Sequence, residues 1–466
     1  MSQDARDQRI AELEAENKEL REQLRVALER IAVLERQTGR SSRNSSQPPS
    51  ADTPEQRGER KKKGGSGRKP GGQPGHKARM RALLPPEKVT RIENHFPPAC
   101  SHCGDRLPRR ECETPLIHQV VELPPIEPDV TEHRMHEGCC GRCGHTTRAT
   151  LPDGVPTGMC GPALMAFIAL LTGFFHLSRR NTQRLLDDVL GVTISLGALS
   201  KVEARVSHAL KAPVEQAHAH AVEEPVKHVD GTTWRNRGQY RALWTIATKT
   251  VSVFRITASA TLETIQGFLQ HARGILVSDR GGQLTFWAME RRQICWAHLL
   301  RKFVEFSEHS RKDVAELGES LLFLTHTLFH SWHRVRDGTL SRGAFEKMML
   351  GLEPHIEQLL ERGASLGVRG VSGSFRDILD HRLALWTFVR VPGVEPTNNH
   401  AERELRRFVQ WRKTSQGSQS ERGERFAERM MTVVHTVRKQ KRHVLSFLTD
   451  ACTAALRNQP PPKLVA

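Results

Sequence analysis

The chain has 466 residues, with 70 Lys+Arg against 52 Asp+Glu and a formal net charge of +18. That length allows several domains, each with its own core, and the charge points to a polyanionic partner. The longest apolar stretch, Ala163 to Phe175, is shorter than the roughly 20 residues a spanning helix needs, so nucleic acid fits better than membrane.

Met1 to Arg36 is charged throughout, unlike a secretory signal. The 9 cysteines are an odd count, and four of them form two Cys-x-x-Cys pairs, so a reducing cytoplasm and metal binding are expected rather than a disulfide framework.

Residues 1–37 read as a coiled coil. Ile10, Asn17, Leu24 and Ile31 occupy one heptad position and Leu13, Leu20, Ala27 and Leu34 another, with Glu, Arg and Lys between them. Asn17 inside a zipper weakens it but pairs with its counterpart, so a parallel homo-oligomer is expected; one amphipathic helix packed on its own protein is the alternative. Residues 38–84 turn to Ser, Pro, Gly, Gln, Lys and Arg, a linker without a core. Its charge lies between Arg60 and Arg81, where Lys61, Lys62 and Lys63 can track phosphates or simply solvate a tether.

Residues 85–155 are expected to form a small zinc-binding module. Cys100-x-x-Cys103-Gly and Cys140-x-x-Cys143-Gly each place a glycine where backbone N–H groups can turn towards a thiolate, and four thiolates make one closed tetrahedral structural site. Cys139, His102 and His145 are neighbouring donors, but the repeated spacing favours Cys100, Cys103, Cys140 and Cys143. Two strand-like runs with Pro-rich turns lie between the pairs. Residues 156–222 are helical in pattern. Pro162 suits a helix start, Ser178 caps a helix through Leu190, Gly191 breaks it, and Ser195 caps another from Leu196 to about Leu210. The pair is either a helix-turn-helix, whose second helix enters a major groove, or an ordinary helix pair around glycine.

From 223 the periodicity changes. Strands are predicted over 226–229, 240–248, 250–257, 274–277 and 293–296, with helices over 262–271 and 283–290. A meander, a crossover helix and then further strands is the order of an RNase H-like mixed α/β core, here 223–297 with 397–450. In that order the first and fourth strands are neighbours. Asp230 and Asp279, at the C-terminal ends of those two, would lie side by side where carboxylates can share a metal. Mg²⁺, or Mn²⁺, suits such oxygen ligands, and two ions about 3.5 to 4 Å apart can activate a water or a 3′-hydroxyl while stabilising the leaving oxygen.

A third carboxylate is expected where a helix opens after 397. Glu402 and Glu404 both flank the apolar stripe of Ala401, Leu405 and Phe408, and with Asn399 as N-cap Glu402 also fits a capping box, so periodicity leaves the choice open. Arg403, Arg406, Arg407, Arg412 and Lys413 follow on the same surface and suit DNA phosphates. Residues 298–396 form an all-helical insertion, with helices over 297–309, 314–336, 342–362 and 374–391. His298 is a candidate active-site neighbour, with a packed or capping histidine as the alternative. Residues 451–466 read as a C-terminal tail.

PTNNHAERELRRFVQWRKTSQGSQSERG resembles the signature of the insertion sequence 66 family of bacterial transposases, and CWAHLLRKF at 295–303 resembles another of its blocks. The zipper, the RKPGGQPGH linker and the paired knuckles resemble its N-terminal half, in the same order. The resemblance implies a multidomain α+β DDE transposase that cleaves DNA at the ends of its own element and joins the 3′-ends to a target. It implies Asp230, Asp279 and Glu402 as the metal-binding triad, and it is what selects Glu402 over Glu404. A bacterial, nucleoid-associated protein with small accessory proteins from the same element is implied as well. The sequence departs from the family twice: an acidic residue is more usual where Gly231 stands, and Asp-Gly is more usual where Asp279-Arg280 stands. The competing readings are a non-catalytic DNA-binding regulator or inactive copy, and an RNase H-like nuclease without strand transfer.

Overall fold

The computed structural model describes residues 82–465. The zipper expected over 1–37 and nearly all of the basic linker, with Lys61, Lys62 and Lys63, lie outside the described residues. The chain divides into two compact units, one ending at Asp129 and the next beginning at Val130, and each is taken by itself. No helix among the described residues is long and apolar enough to cross a membrane.

In the first unit the described residues carry little regular secondary structure beyond a short 3₁₀ turn at Pro86–Lys88. The Gln119 side chain pairs with both backbone groups of Leu84, accepting its N–H at 2.7 Å and donating to its carbonyl at 3.0 Å. The strand-like runs expected between the two knuckles carry no strand pairing; beyond an isolated bridge between Ala99 and Arg106, the first strand is β1 (Glu137–Cys139), which forms a hairpin with β2 (Thr146–Arg148) in the second unit.

Four helices follow, α1 (Pro162–Gly173), α2 (Arg179–Leu190), α3 (Leu196–Ala209) and α4 (Lys211–Glu223). Their ends follow local chemistry. Ser178 and Ser195 accept backbone N–H groups of Asn181 and Ala198 at 3.1 and 3.2 Å, and Gly191 takes a left-handed φ of 62° that stops α2. α3 buries Leu199, Val202 and Val206, and the Ser207 carbonyl receives Arg429 Nη1 at 2.8 Å. The helix that a groove-reading pair would send into DNA is thus embedded in the core along most of one face.

The main sheet has five strands, β3 (Val226–Asn236), β4 (Gln239–Ala247), β5 (Ser252–Thr257), β6 (Ile275–Ser278) and β7 (Arg292–Ile294), in the order β5-β4-β3-β6-β7. β3, β4 and β5 form an antiparallel meander, α5 (Leu262–Phe268) crosses over, and β6 and β7 add in parallel beside β3. The first and fourth strands of this sheet are therefore neighbours. β6 alternates its side chains, Leu276 into one hydrophobic core and Val277 into another, so both faces are covered.

The helix expected over 283–290 is absent. Leu284 and Trp287 each bond back three residues, at 3.0 and 3.2 Å, in tight turns that aim both side chains inward. An apolar spacing of three serves such turns as well as an α-helix.

The insertion consists of α6 (Trp296–Ser307), α7 (Lys312–Arg336), α8 (Arg342–Ser365), α9 (Ser372–Asp380), α10 (Arg382–Leu385) and α11 (Thr387–Arg390). The single helix expected over 374–391 is broken into these last three pieces. Side chains from β7 and α6 capture its backbone: Gln293 accepts the Phe388 N–H at 2.7 Å, and Gln293 and Trp296 both donate to the Leu385 carbonyl, at 3.1 and 2.8 Å.

Three helices complete the unit, α12 (Asn399–Ser415), α13 (Glu421–Lys439) and α14 (Val444–Leu456). α13 lies along the open edge of the sheet. Thr436 and Thr432 accept the N–H groups of Ser252 and Phe254 at 3.1 Å each, and Glu428 accepts that of Ile256. Successive turns of one helix face thereby satisfy alternate N–H groups of an edge strand. The expected C-terminal tail is docked, with Leu464 buried and its carbonyl held by Gln440 at 2.9 Å.

Candidate active site

Register brings the two aspartates together. β3 and β6 pair in parallel with His228 opposite Val277, so two residues further along each chain stand Asp230 and Asp279. Asp230 still belongs to β3, facing Thr245 of β4, whereas Asp279 follows the last residue of β6. Their carboxylates accept nearby backbone N–H groups, Asp230 from Gly231 and Asp279 from Gly281, both at 2.9 Å. Burial, the charge of Asp279 and then that of Glu402 push the Asp230 carboxyl up to about 8. Asp230 thus responds electrostatically to both other members of the expected triad.

Each departure from the family pattern is filled by this chain's own packing. A Cβ on Gly231 would meet the buried ring of Trp244 at 2.6 Å, so an acidic residue has no room there. Arg280, where glycine is more usual, reaches Asp377 of α9 at 2.9 Å and ties the Asp279 loop to the helical insertion.

Glu402 lies in the first turn of α12, and Asn398 positions it. Asn398 is the N-cap residue in place of the expected Asn399, yet its side chain does not cap. It donates from Nδ2 to the Val229 carbonyl at 2.8 Å, lies 3.3 Å from His228 Nδ1, and its backbone N–H points to Cys295 Sγ at 3.1 Å. The capping box is therefore not made, and Glu402 is free to face the sheet. Its Oε2 is 3.9 Å from Arg301 and its Oε1 is 3.8 Å from His298 Nδ1. Neither Glu402 Oε1 nor His298 Nδ1 has a hydrogen-bond partner, although both atoms are buried.

Glu404 faces elsewhere. It hydrogen-bonds His435 and lies 3.2 Å from Lys439 and 3.7 Å from His400. Burial alone would raise its carboxyl, but the His435 hydrogen bond and the Lys439 charge hold it at about 2. A carboxylate so occupied is a poor candidate for a ligand.

Among the described residues, one group of three or more His, Cys, Asp or Glu side chains has all its donor atoms within 4.8 Å of one another: Cys295, His298 and Glu402. The two aspartates are outside that group. Burial pushes the Cys295 thiol up to about 12 and lowers the proton affinity of His298.

The arginines of α12 divide. Arg403, Arg406 and Arg407 are exposed, and the Arg407 guanidinium lies 5.2 Å from the centre of the Phe174 ring. Arg412 is not free for DNA: it clasps Thr233 and reaches Thr232 Oγ1 at 3.3 Å, fastening α12 to β3. Lys413 is exposed. Sequence reasoning passed over Arg292 and Arg301. Arg292 is fully buried and supports the Asp279 carbonyl at 3.0 Å. Arg301, three residues after His298, shares its helix face, a spacing visible in CWAHLLRKF.

The two knuckles are alike, each taken alone. Cys100 and Cys140 donate their N–H groups to the carbonyls of Asp105 and His145 at 2.8 and 2.9 Å, and Gly104 and Gly144 close the turns at φ of 76° and 69°. Hydrogen bonds from the amides of Cys103 and His102 hold the Cys100 thiol below its ordinary range, and those of Cys143 and Arg142 do the same for Cys140. Amides aimed at sulfur suit a thiolate ligand. Cys139 instead lies on β1, its Sγ 3.5 Å from the Gly144 carbonyl.

The family model described as Transposase IS66 family matches residues 157–426, more than half of the chain. A second, described as a family of unknown function (DUF6444), matches residues 2–82. No curated protein matches the chain.

Proposed function

Given that the chain belongs to the transposase IS66 family, we propose that it binds the ends of its own insertion sequence and catalyses metal-dependent strand cleavage and strand transfer. The observation that carries this reading is the register of β3 and β6, which sets Asp230, within the longer β3, beside Asp279, just past the end of β6. The sheet order supports an RNase H-like core, and Glu402, its Oε1 buried and unpartnered, supplies the third carboxylate.

These groups fit divalent cations. An Asp230 whose proton affinity is raised by its acidic neighbours is a site that a cation relieves. Mg²⁺ or Mn²⁺ bound there supplies an activated water or 3′-hydroxyl and neutralises charge on the leaving oxygen. The chain's own groups hold the constellation in place: Arg292 supports the Asp279 backbone, Asn398 anchors the start of α12, and Arg301 faces the outer oxygen of Glu402. Exposed Arg403 and Arg406 beside Glu402 suit DNA phosphates. The knuckle thiols of Cys100, Cys103, Cys140 and Cys143 hold structural zinc in this reading. The zipper makes the protein a homo-oligomer.

The test is incubation of purified protein and Mg²⁺ with DNA flanking its gene, followed for nicked and joined products. Asp230→Asn, Asp279→Asn and Glu402→Gln should each lower both by orders of magnitude while specific DNA binding persists. Activity in all three variants would overturn the triad. Cleavage without joining would favour a nuclease.

A further inference from the structure

His298 Nδ1 and Glu402 Oε1 face each other across 3.8 Å, both buried and both without a hydrogen-bond partner. Leaving two such atoms unsatisfied costs free energy, and a charge-assisted hydrogen bond between them would require about 2.7–2.9 Å. A cation satisfies both. Ligands of one octahedral ion with bonds of about 2.1 Å stand about 3.0 Å apart when adjacent and about 4.2 Å when opposite, so the observed gap needs only a small adjustment.

We propose that His298 is a metal ligand, joining Glu402 through Nδ1 so that the ion on that side has a mixed nitrogen and oxygen shell while the Asp230 and Asp279 side is all oxygen. The inference rests on the triad reading and extends it. The neighbouring groups leave this ligand pair intact. Arg301 approaches the other oxygen, Oε2, and so orients the carboxylate without covering Oε1. Cys295 is fully buried and its Sγ already faces the Asn398 N–H at 3.1 Å, which makes it a positioning residue. Position accounts for the histidine: it enters α6 one turn after β7 ends, on the side of the sheet where Glu402 arrives from α12. An imidazole donor shifts preference from Mg²⁺ towards Mn²⁺, Co²⁺ or Zn²⁺, so the two sides of the site differ in the ion they select.

The experiment is pulsed electron paramagnetic resonance of the full chain, first saturated with zinc at its thiol sites and then loaded with Mn²⁺. The expected spectrum shows modulation from a directly bound ¹⁴N nucleus that changes on ¹⁵N-histidine labelling, is lost in His298→Gln and is kept in Cys295→Ala. Mn²⁺ affinity should fall at least tenfold in His298→Gln. Mn²⁺ that binds in an Asp230-dependent way without nitrogen modulation, or with modulation that survives His298→Gln, overturns the His298 assignment and leaves the triad standing. Mn²⁺ binding indifferent to Asp230→Asn overturns the triad itself, and this inference with it. The labelling experiment needs no variant, so a folding failure of His298→Gln does not shelter the proposal.

Discussion

The side-chain amide of Asn398 donates to the carbonyl of Val229 at 2.8 Å, across 169 residues of sequence and one residue before Asp230. The same residue reaches Cys295 at the end of β7 through its backbone. One fully buried side chain thus fixes where the helix of the third carboxylate meets the strand of the first. Asn398→Ala should cost about 1–3 kcal/mol of stability by leaving the carbonyl unpaired, and a displacement of roughly 1 Å at Glu402 should lower cleavage about 100-fold. Thermal melts and cleavage rates at matched folded fractions check both; full activity would mean that α12 is held by something else.

Asp230 makes the metal-free fold less stable as pH rises from acid to about 8. Its folded-state value of about 8 exceeds the ordinary 3.8, so the native state keeps a proton that the unfolded chain has released, and stability falls as pH rises through that window. The melting temperature without divalent ions should therefore drop as pH rises from about 4 to about 8 and level off above that. Asp230→Asn should flatten the drop, and Mn²⁺ should reverse it in the natural protein.

Glu404 titrates with the opposite sign. Held at about 2 against an ordinary 4.5, it stabilises the fold above its unfolded value and loses that contribution as pH falls from the mid-fours towards 2. Glu404→Gln should lower the melting temperature at neutral pH, with the difference from the natural protein shrinking in acid. A neutral-pH melt unchanged by Glu404→Gln would show the His435 and Lys439 contacts to be energetically idle.

Gly231→Asp, which brings the first motif closer to the family pattern, should fail to improve activity. The new side chain would enter the Trp244 ring, which is 3% exposed, and overpacking of this kind costs about 1–3 kcal/mol. Pairing it with Trp244→Ala should recover part of the loss, and denaturant melts of the single and double variants measure the coupling.

Zinc removal should act through the knuckles. Protein purified without chelator is expected to carry zinc, and Cys103→Ser should lower both zinc content and the protection of residues 98–107 from proteolysis. Stoichiometry by elemental analysis tests this, and a zinc-free protein that binds DNA normally would contradict it.

Part of the candidate site was legible because a buried parallel strand leaves a plain trace: Ile275–Ser278 is an apolar-rich run followed at once by Asp279, whereas Val226–Val229 interleaves Lys227 and His228 before Asp230. Helix caps were legible for the same local reason, as Ser178 and Ser195 show. What periodicity could not reveal is long-range capture of backbone groups. Gln293 and Trp296 break the helix over 374–391 from about 90 residues away, and Asn398 abandons its cap for Val229. Neither leaves a mark on local spacing. Periodicity likewise left Glu402 against Glu404 open; the resemblance selected Glu402, and Glu404 is committed to His435.

The sealing of β5 by α13 gives synthesis of this protein a vulnerable interval. Ser252 waits for Thr436, 184 residues downstream, and at about 5–20 residues per second translation needs roughly ten to forty seconds to supply it. Until then a strand edge is open to any passing chain. A gene copy truncated before α13 would keep Asp230, Asp279 and Glu402 yet never close that edge, so its product would be removed by aggregation or proteolysis instead of persisting to compete with the intact enzyme for DNA.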